Sequence, residues 1–401
     1  MFVQARRWAM VVGAASLAMI GCGGGASRHS ASAGTAAPTS RRADAALATR
    51  FQHALDTARA SIDSPGASAA VLIPGQPLWA GTSGFADVRS HRRVTPGALF
   101  EIASVTKTLT AALVLKLTER HVLSLDDHLS RWVPEFPNAD RITLRELLAH
   151  TAGTRDFFTV AFDRAQRRAG PDSTWPAERT LHYATRPIGG PGRQWSYSNT
   201  DYLLLGLVIE RATHSTIAEQ LHRRLLPRGD FPRLVFQGAE RPTGAVATGY
   251  KDVNGDFTYE AFKGHPFIPS REEATTVGAA GSVAASAGDL ARALHGILAG
   301  NLISAASRRA MTTWVKTDLG GHEPTGFTPP EYGLGLAHIQ LAGQDAWGHP
   351  GGITGFHAEA WYLPKTGVTI VALANLEASD AVARNADQIA RDLAAVVRPG
   401  A

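Results

Sequence analysis

The chain has 401 residues, 44% of them hydrophobic, with a single cysteine and a formal charge of +5 to which Arg6 and Arg7 contribute. No segment gathers Lys or Arg on an aromatic-rich face, which argues against nucleic-acid binding. One cysteine allows no internal disulfide, and the absence of an HExxH or paired-cysteine spacing, with histidines scattered, argues against a metal enzyme and leaves no cofactor expected.

Arg6-Arg7, an apolar run from Trp8 to Ile20 and then Gly21-Cys22 have the order of a secretory signal peptide over residues 1–21. The run is too short for a permanent membrane span, and the Arg pair lacks most of the twin-arginine context. Met19-Ile20-Gly21-Cys22 resembles the bacterial lipobox, in which signal removal leaves a lipid-modified cysteine as the first residue. Met19 in place of leucine keeps cleavage without lipidation as the alternative. Residues 22–43 are Gly, Ala, Ser, Thr and Pro with scattered Arg, a composition that cannot bury apolar area and predicts a flexible tether. The expected location is the bacterial cell envelope, on a membrane only through Cys22 and facing the periplasm or exterior.

About 355 residues remain, enough for one large domain or two lobes. Apolar spacing predicts a helix over Ala45–Ile62, and Ala67–Ile73 with Pro77–Gly84 reads as a hairpin around Pro74-Gly75. Helix signals then dominate. Ser104–Arg120 comes first, Thr143-Leu144-Arg145-Glu146 has capping-box spacing before Leu147–His150, and Thr200–Thr213, Thr216–Leu226 and Ser286–Ala299 follow. Asp252-Val253-Asn254-Gly255-Asp256 lacks the distal Glu of a calcium loop, so Asn254-Gly255 predicts a hairpin turn. Tyr332–Leu341, Ala346–Ile353, His357–Leu363 and Val368–Asn375 read as strands, and Asp380–Val397 as an amphipathic helix. The pattern predicts an α/β domain over 44–398. An α/β lobe from both chain ends, about 44–103 and 276–398, holds an inserted mostly helical lobe, about 104–275, with a cleft between them.

Three short patterns, each occurring once, carry the chemistry: Ser104-Val105-Thr106-Lys107, Tyr197-Ser198-Asn199 and His349-Pro350-Gly351. With 23 serines and six lysines, a random chain of this composition shows roughly 0.3 Ser-x-x-Lys spacings, so the first pattern gains its weight from the other two. If Ser104 starts a helix, Lys107 lies one turn on and on the same face, where Ile102, Leu109 and Leu113 would desolvate its amine and lower its pKa from about 10.4. The helix N-terminus would stabilise an alkoxide on Ser104. Tyr197, on a loop after Pro191-Gly192, could move a proton to and from Ser104, with Asn199 donating to a substrate carbonyl or holding Lys107. The glycines of His349-Pro350-Gly351-Gly352 let a substrate backbone approach, and the Gly352 and Ser104 N–H groups could form an oxyanion hole.

These residues resemble the serine β-lactamase and penicillin-binding protein superfamily, whose elements are Ser-x-x-Lys, Tyr-x-Asn or Ser-x-Asn, and a Lys/His-x-Gly strand. Leu147-Leu148-Ala149-His150-Thr151-Ala152-Gly153, Gly278-Ala279-Ala280-Gly281-Ser282 and Gly351-Gly352-Ile353-Thr354-Gly355-Phe356 fit the same family, and the likeness spans about residues 45–395. Tyr-Ser-Asn and His-x-Gly place the chain beside class C β-lactamases, D-alanyl-D-alanine carboxypeptidases, D-aminopeptidases and related carboxylesterases. The resemblance implies a β-lactamase/transpeptidase-like fold, an antiparallel sheet flanked by terminal helices, and catalysis by acylation of Ser104 and hydrolysis of the acyl-enzyme, with Lys107 and Tyr197 relaying protons. It also implies that His349 and Gly351 serve substrate binding. Histidine stands where most β-lactamases have lysine, and Pro350 where their threonine contacts a substrate carboxylate. Both departures favour a small-molecule ester or a D-amino-acid amide or peptide. A peptidoglycan-derived D-alanyl-D-alanine substrate or weak β-lactam hydrolysis is the alternative, and a non-catalytic penicillin-recognising or wall-sensing module is the rival of another class. Specificity is expected in Phe157–Pro191 and Asp252–Ile268, which carry no motif.

Overall fold

A computed structural model of the chain describes residues 38–237, 239–242, 244–252, 259–262, 270–317, 328–377 and 386–398. Cys22 and most of the Asp252–Ile268 segment lie outside them. Helix α1 (Pro38–Ser61) precedes strands β1 (Gly66–Leu72), β2 (Trp79–Asp87), β3 (Arg92–Arg93) and β4 (Phe100–Glu101). A 3-10 turn at Ala103–Val105 enters helix α2 (Thr106–Thr118), followed by α3 (Leu144–Leu148), α4 (Val160–Ala169), α5 (Ala177–Leu181), α6 (Asn199–Thr213) and α7 (Ile217–Arg224). Then come β5 (Leu234–Phe236), the hairpin β6 (Gly249–Asp252) and β7 (Tyr259–Phe262), α8 (Arg271–Gly281), β8 (Val283–Ala285), α9 (Ala287–Leu298) and α10 (Ala305–Met311). The chain closes with β9 (Val315–Lys316), β10 (Glu331–Tyr332), β11 (Ala337–Leu341), β12 (Gln344–Ile353), β13 (Phe356–Leu363), β14 (Val368–Ala374) and α11 (Ala386–Val396).

Both chain ends build the main sheet, which has nine strands in the order β3-β2-β1-β14-β13-β12-β11-β10-β9. Its neighbours pair antiparallel, as β1 with β14 and β12 with β13 do. Strands β13 and β14 are buried along their whole length because helices cover both faces. On one face Phe51 and Leu55 of α1 and Ile389 and Leu393 of α11 pack with Val71, Ile370 and Trp361. The alternate side chains Ala70, Val371 and Leu373 enter the other core with Leu290 and Leu294 of α9 and the apolar residues of α2 and α6. Residues Ala45–Ala401 form one compact unit in which sheet and helical region share that core.

Several local signals act as their chemistry predicts. Thr143 caps α3 with a reciprocal Glu146 bond, Thr216 and Glu219 do the same for α7, and Ser286 caps α9. Two expectations are corrected. Helix α1 begins at Pro38, so the last residues assigned to the tether are helical, and proline with the Ala- and Arg-rich stretch after it suits a first turn. Ser104 does not start a helix but sits within the 3-10 turn, because Ala103 takes a left-handed φ of 45° and breaks the path from β4 into α2. Strands β6 and β7 pair across the predicted Asn254-Gly255 hairpin, whose turn lies outside the described residues.

Candidate active site

The small sheet β4-β8-β5 fixes the approach to Ser104. Glu101 pairs with Ala284, and the Ile102 N–H donates to the Val283 carbonyl at 3.0 Å, so the segment before Ser104 is tied to the one after Ala280. Ala103 then bends the chain in a conformation that costs a β-carbon-bearing residue about 1–2 kcal/mol. Helix α2 begins at once and is buried on all sides, which fully removes Lys107 from solvent.

Lys107 reaches three acceptors: Ser104 Oγ at 2.9 Å, Asn199 Oδ1 at 2.7 Å and the Ala280 carbonyl at 2.9 Å. Asn199 Oδ1 and the Ala280 carbonyl can only accept, so two N–H bonds of the amine are committed to them. The third direction faces the hydroxyl of Ser104. There an ammonium donates to the oxygen and a neutral amine accepts its proton, with no other atom displaced. The Tyr197 ring lies 4.8 Å from the same nitrogen, an attraction that favours the cationic form.

Tyr197 donates its phenol hydrogen to Ser104 Oγ at 2.9 Å, so both proton-handling groups named from the sequence converge on the hydroxyl. Asn199 takes the Lys107-holding role of the two considered for it. Its side-chain amide and backbone N–H donate to Asp156 Oδ2 at 2.9 and 2.7 Å, which fixes the amide with its oxygen toward Lys107. Burial raises the Asp156 carboxyl above its usual range, against the hydrogen bonds from Phe158 and Asn199 and the field of Lys107. Asp156 had no motif of its own; its only sequence signal was its place soon after Gly153 in the Leu147–Gly153 stretch.

Strand β12 supplies the opposite wall. Its hairpin to β13 turns on Thr354 and Gly355, with Ile353 opposite Phe356, and Gly352 opposite His357. A two-residue loop closes on a hydrogen-bonded pair, and such pairs alternate along the ladder, so the backbone groups of Gly352 and Pro350 point away from β13. On that side β11 has ended, since Ala337 pairs with Gly348. The Gly352 N–H therefore faces an open edge, and proline at 350 removes no ladder bond. Gly351 is pressed against the nucleophile turn: a β-carbon there would lie 2.2 Å from the Ile102 carbonyl oxygen and 3.1 Å from Ser104 N. The Val105 and Thr106 N–H groups bond back to Ile102 and Ala103, closing the turn behind Ser104.

His349 is buried, with Nδ1 on the Pro350 carbonyl at 2.5 Å and Nε2 on the Tyr332 hydroxyl at 3.0 Å. A carbonyl can only accept, so Nδ1 carries the hydrogen and Nε2 accepts from Tyr332. Burial, aided by the Lys107 charge, lowers its pKa to about 3. It is a neutral ring with both nitrogens engaged by the protein.

A cleft of about 1550 Å³ opens over Ser104, bordered by α4, α8 and β12 and reaching α11. Among the described residues its cationic side chains are paired: Arg167 with Asp163, Lys251 with Glu377, Arg391 with Asp387. Glu273 lines the same cleft, and burial lifts its pKa to about 7, moderated by hydrogen bonds from Thr354 and reinforced by Glu272 and Glu377. Phe158 and Val160, both exposed, form an apolar rim.

The profile that describes the Beta-lactamase family matches residues 51–395. Among curated proteins the chain is 31% identical over 159 residues to penicillin-binding protein 4* of Bacillus subtilis strain 168, a match that covers 39% of this chain and 34% of that protein. The matched stretch thus spans about a third of that relative's length. Among solved structures, D-amino acid amidase from Ochrobactrum anthropi SV3 superposes with a TM-score of 0.76 at 22% identity, over 88% of this chain and 98% of that one, a likeness of fold. A D-stereospecific amidohydrolase from Streptomyces sp. superposes with a TM-score of 0.70 at 25% identity, over 85% and 96%. With the profile matched from α1 to α11 and this fold around Ser104, the chain belongs to the Beta-lactamase family.

Proposed function

We propose that the protein is a serine hydrolase that cleaves small ester or amide substrates through an acyl-enzyme on Ser104. The observation that carries this reading is the convergence of Lys107 Nζ and Tyr197 Oη on Ser104 Oγ, each at 2.9 Å. Ser104 Oγ attacks the substrate carbonyl as its proton passes to the Lys107–Tyr197 pair, and the Ser104 and Gly352 N–H groups receive the negative charge on the carbonyl oxygen. Tyr197 returns the proton to the leaving group, the C–O or C–N bond breaks, and water attacks the ester of Ser104 by the same route in reverse.

The strand edge favours an ester or a D-amino-acid amide over a carboxylate-bearing substrate. Pro350 has no hydroxyl, and among the described residues the cations lining the cleft are paired. The Streptomyces amidohydrolase supports the amide side of this reading; the B. subtilis penicillin-binding protein supports cell-wall peptides as its alternative. A panel of p-nitrophenyl esters, D-amino-acid amides, D-alanyl peptides and nitrocefin on residues 43–401 decides among them. Unchanged ester hydrolysis in Ser104→Ala, or no fluorophosphonate adduct on Ser104, would refute the nucleophile, whereas a stable adduct without turnover would support a sensing module.

We also propose export to the cell envelope with a lipid at Cys22. No helix among the described residues is long and apolar enough to cross a membrane. Palmitate-analogue labelling that persists in Cys22→Ala would sink the proposal.

A further inference from the structure

Tyr197 stands on a loop, yet the geometry above needs its oxygen fixed to within a few tenths of an ångström. One buried residue, His150, touches that loop on both sides. Its carbonyl accepts the Ser196 N–H at 2.9 Å, and its Nδ1 lies 3.3 Å from the Ser198 N–H. Both residues flanking Tyr197 are therefore bonded through their N–H groups to one residue, which follows α3 in a left-handed conformation with φ of 57°. The imidazole also packs under the Tyr197 ring, with centroids 4.5 Å apart, between Tyr202 and Tyr332 at 5.2 and 5.0 Å.

Asp201, in the first turn of α6, completes the arrangement. Its Oδ2 lies 2.8 Å from His150 Nδ1, and the Thr154 hydroxyl lies 2.6 Å from its Oδ1 and 2.9 Å from Ser198 Oγ. The hydrogens can be placed. The Ser198 N–H is a donor aimed at Nδ1, so Nδ1 presents its lone pair, which that N–H at 3.3 Å shares with the hydrogen that Asp201 contributes to the 2.8 Å contact. Nε2 then carries the imidazole hydrogen, and it has no hydrogen-bond partner among the described residues. Burial drives the same distribution, holding Asp201 well above and His150 well below their usual ranges. The charged and titratable groups around the pair agree with it: Lys107 on α2 disfavours a cationic His150, His349 on β12 faces it as a neutral ring, and Asp156 disfavours an anionic Asp201 against the opposing pull of Lys107. The facing phenols of Tyr197, Tyr202 and Tyr332 complete the enclosure.

We propose that His150 and Asp201 are positioning residues, an uncharged clamp that holds the Tyr197 phenol on Ser104 by bonding the N–H groups of the residues on either side of it. The proposal rests on the reading of Tyr197 as proton carrier. The clamp needs an acceptor at the place of Nδ1 more than it needs an aromatic ring, and two variants separate these demands. His150→Asn keeps an acceptor for the Ser198 N–H and tolerates the left-handed backbone, whereas His150→Phe keeps the ring and loses the nitrogen.

The test measures kcat and KM for p-nitrophenyl acetate, with melting temperatures and fluorophosphonate labelling of Ser104, on wild type, the two His150 variants and Tyr197→Phe. Misplacement of a catalytic group predicts that His150→Phe loses about thirtyfold in kcat with KM within about twofold, and that His150→Asn stays within about threefold of wild type. Equal loss or equal retention in the two variants overturns the clamp. Should either fail to fold, Thr154→Ser and Thr154→Val put the same question, with serine retaining kcat and valine losing it; an absent split there overturns the clamp as well. A wild type that neither hydrolyses nor labels refutes the hydrolase reading, and a Tyr197→Phe protein at wild-type rate refutes the premise about Tyr197. An impaired Tyr197→Phe with no split in the other pairs refutes the clamp alone.

Discussion

Asp156 receives two hydrogen bonds from Asn199, one from the backbone and one from the side chain, and the remaining side-chain atom of Asn199 faces Lys107. The amide cannot turn over without breaking the bonds on both its sides. Asp156→Ala removes one side, leaving buried N–H groups without a partner at a cost of about 1–3 kcal/mol. It should lower the melting temperature and reduce kcat about tenfold as Lys107 loses its fixed neighbour. Ester hydrolysis within twofold of wild type would show that Asn199 needs no such support.

Lys107→Arg preserves charge and should still fail. Guanidinium cannot give up its proton near neutral pH, and its planar fork does not match three acceptors arranged around one point. Loss of about a thousandfold in kcat is expected, against about a hundredfold or more for Tyr197→Phe. Stopped-flow measurement of the acylation burst should show both defects before deacylation; normal bursts with slow steady states would assign the two groups to the second half of the reaction.

Neighbouring glycines should differ sharply. Gly351→Ala drives a β-carbon onto the Ile102 carbonyl, a backbone atom that cannot swing aside, whereas at Gly352 the nearest atom is His357 Cδ2 at 3.7 Å, an ordinary contact. Overpacking of about 1–3 kcal/mol is expected for the first and little change for the second. Thermal melts of both, with active-site titration, check this.

Glu359 gives a pH signature. Its buried carboxyl accepts from Trp361 Nε1, and burial, with Asp387 adding, lifts its pKa to about 8. The folded state thus holds a proton that the unfolded chain, with a pKa near the model-peptide value of about 4.3, releases. This stabilisation is complete below about pH 4.3 and is lost as pH rises toward 8. Glu359→Gln should therefore gain melting temperature relative to wild type as pH rises from about 5 to about 9. His349, lowered to about 3, and His357, lowered to about 4 by burial, act in the opposite sense. Their contribution is present above about pH 6.5 and fades as the unfolded chain takes up protons below it. A constant difference between Glu359→Gln and wild type across this range would rule out a protonated Glu359.

The elements legible in the sequence are those whose cause is local. Thr143 with Glu146 and the apolar run of β14 act over a few residues, and their reading agrees with the structure. Ser104, Lys107, Tyr197 and Asn199 were legible because each pattern holds its own reacting atoms. Asp156, His150 and Asp201 act on partners 43 to 51 residues away, so only the folded chain shows that one fixes Asn199 and the others flank Tyr197. The turn at Ser104 escaped for another reason. Helical spacing continues through it, and the left-handed Ala103 that interrupts the helix is imposed by the β4-β8 pairing, a tertiary constraint stronger than local preference.

The overhang of β12 past the end of β11 leaves a bare strand edge on the surface of a cleft, where a passing extended segment from another molecule could pair and continue the sheet. Pro350 lies in that overhang, offering no N–H to an incoming strand, and its carbonyl is already held by His349. Pairing that starts at Gly352 finds no second rung at the next position on that edge. The same proline that leaves the cleft without a threonine hydroxyl thus guards the protein against edge-to-edge aggregation while leaving one N–H open for a single carbonyl.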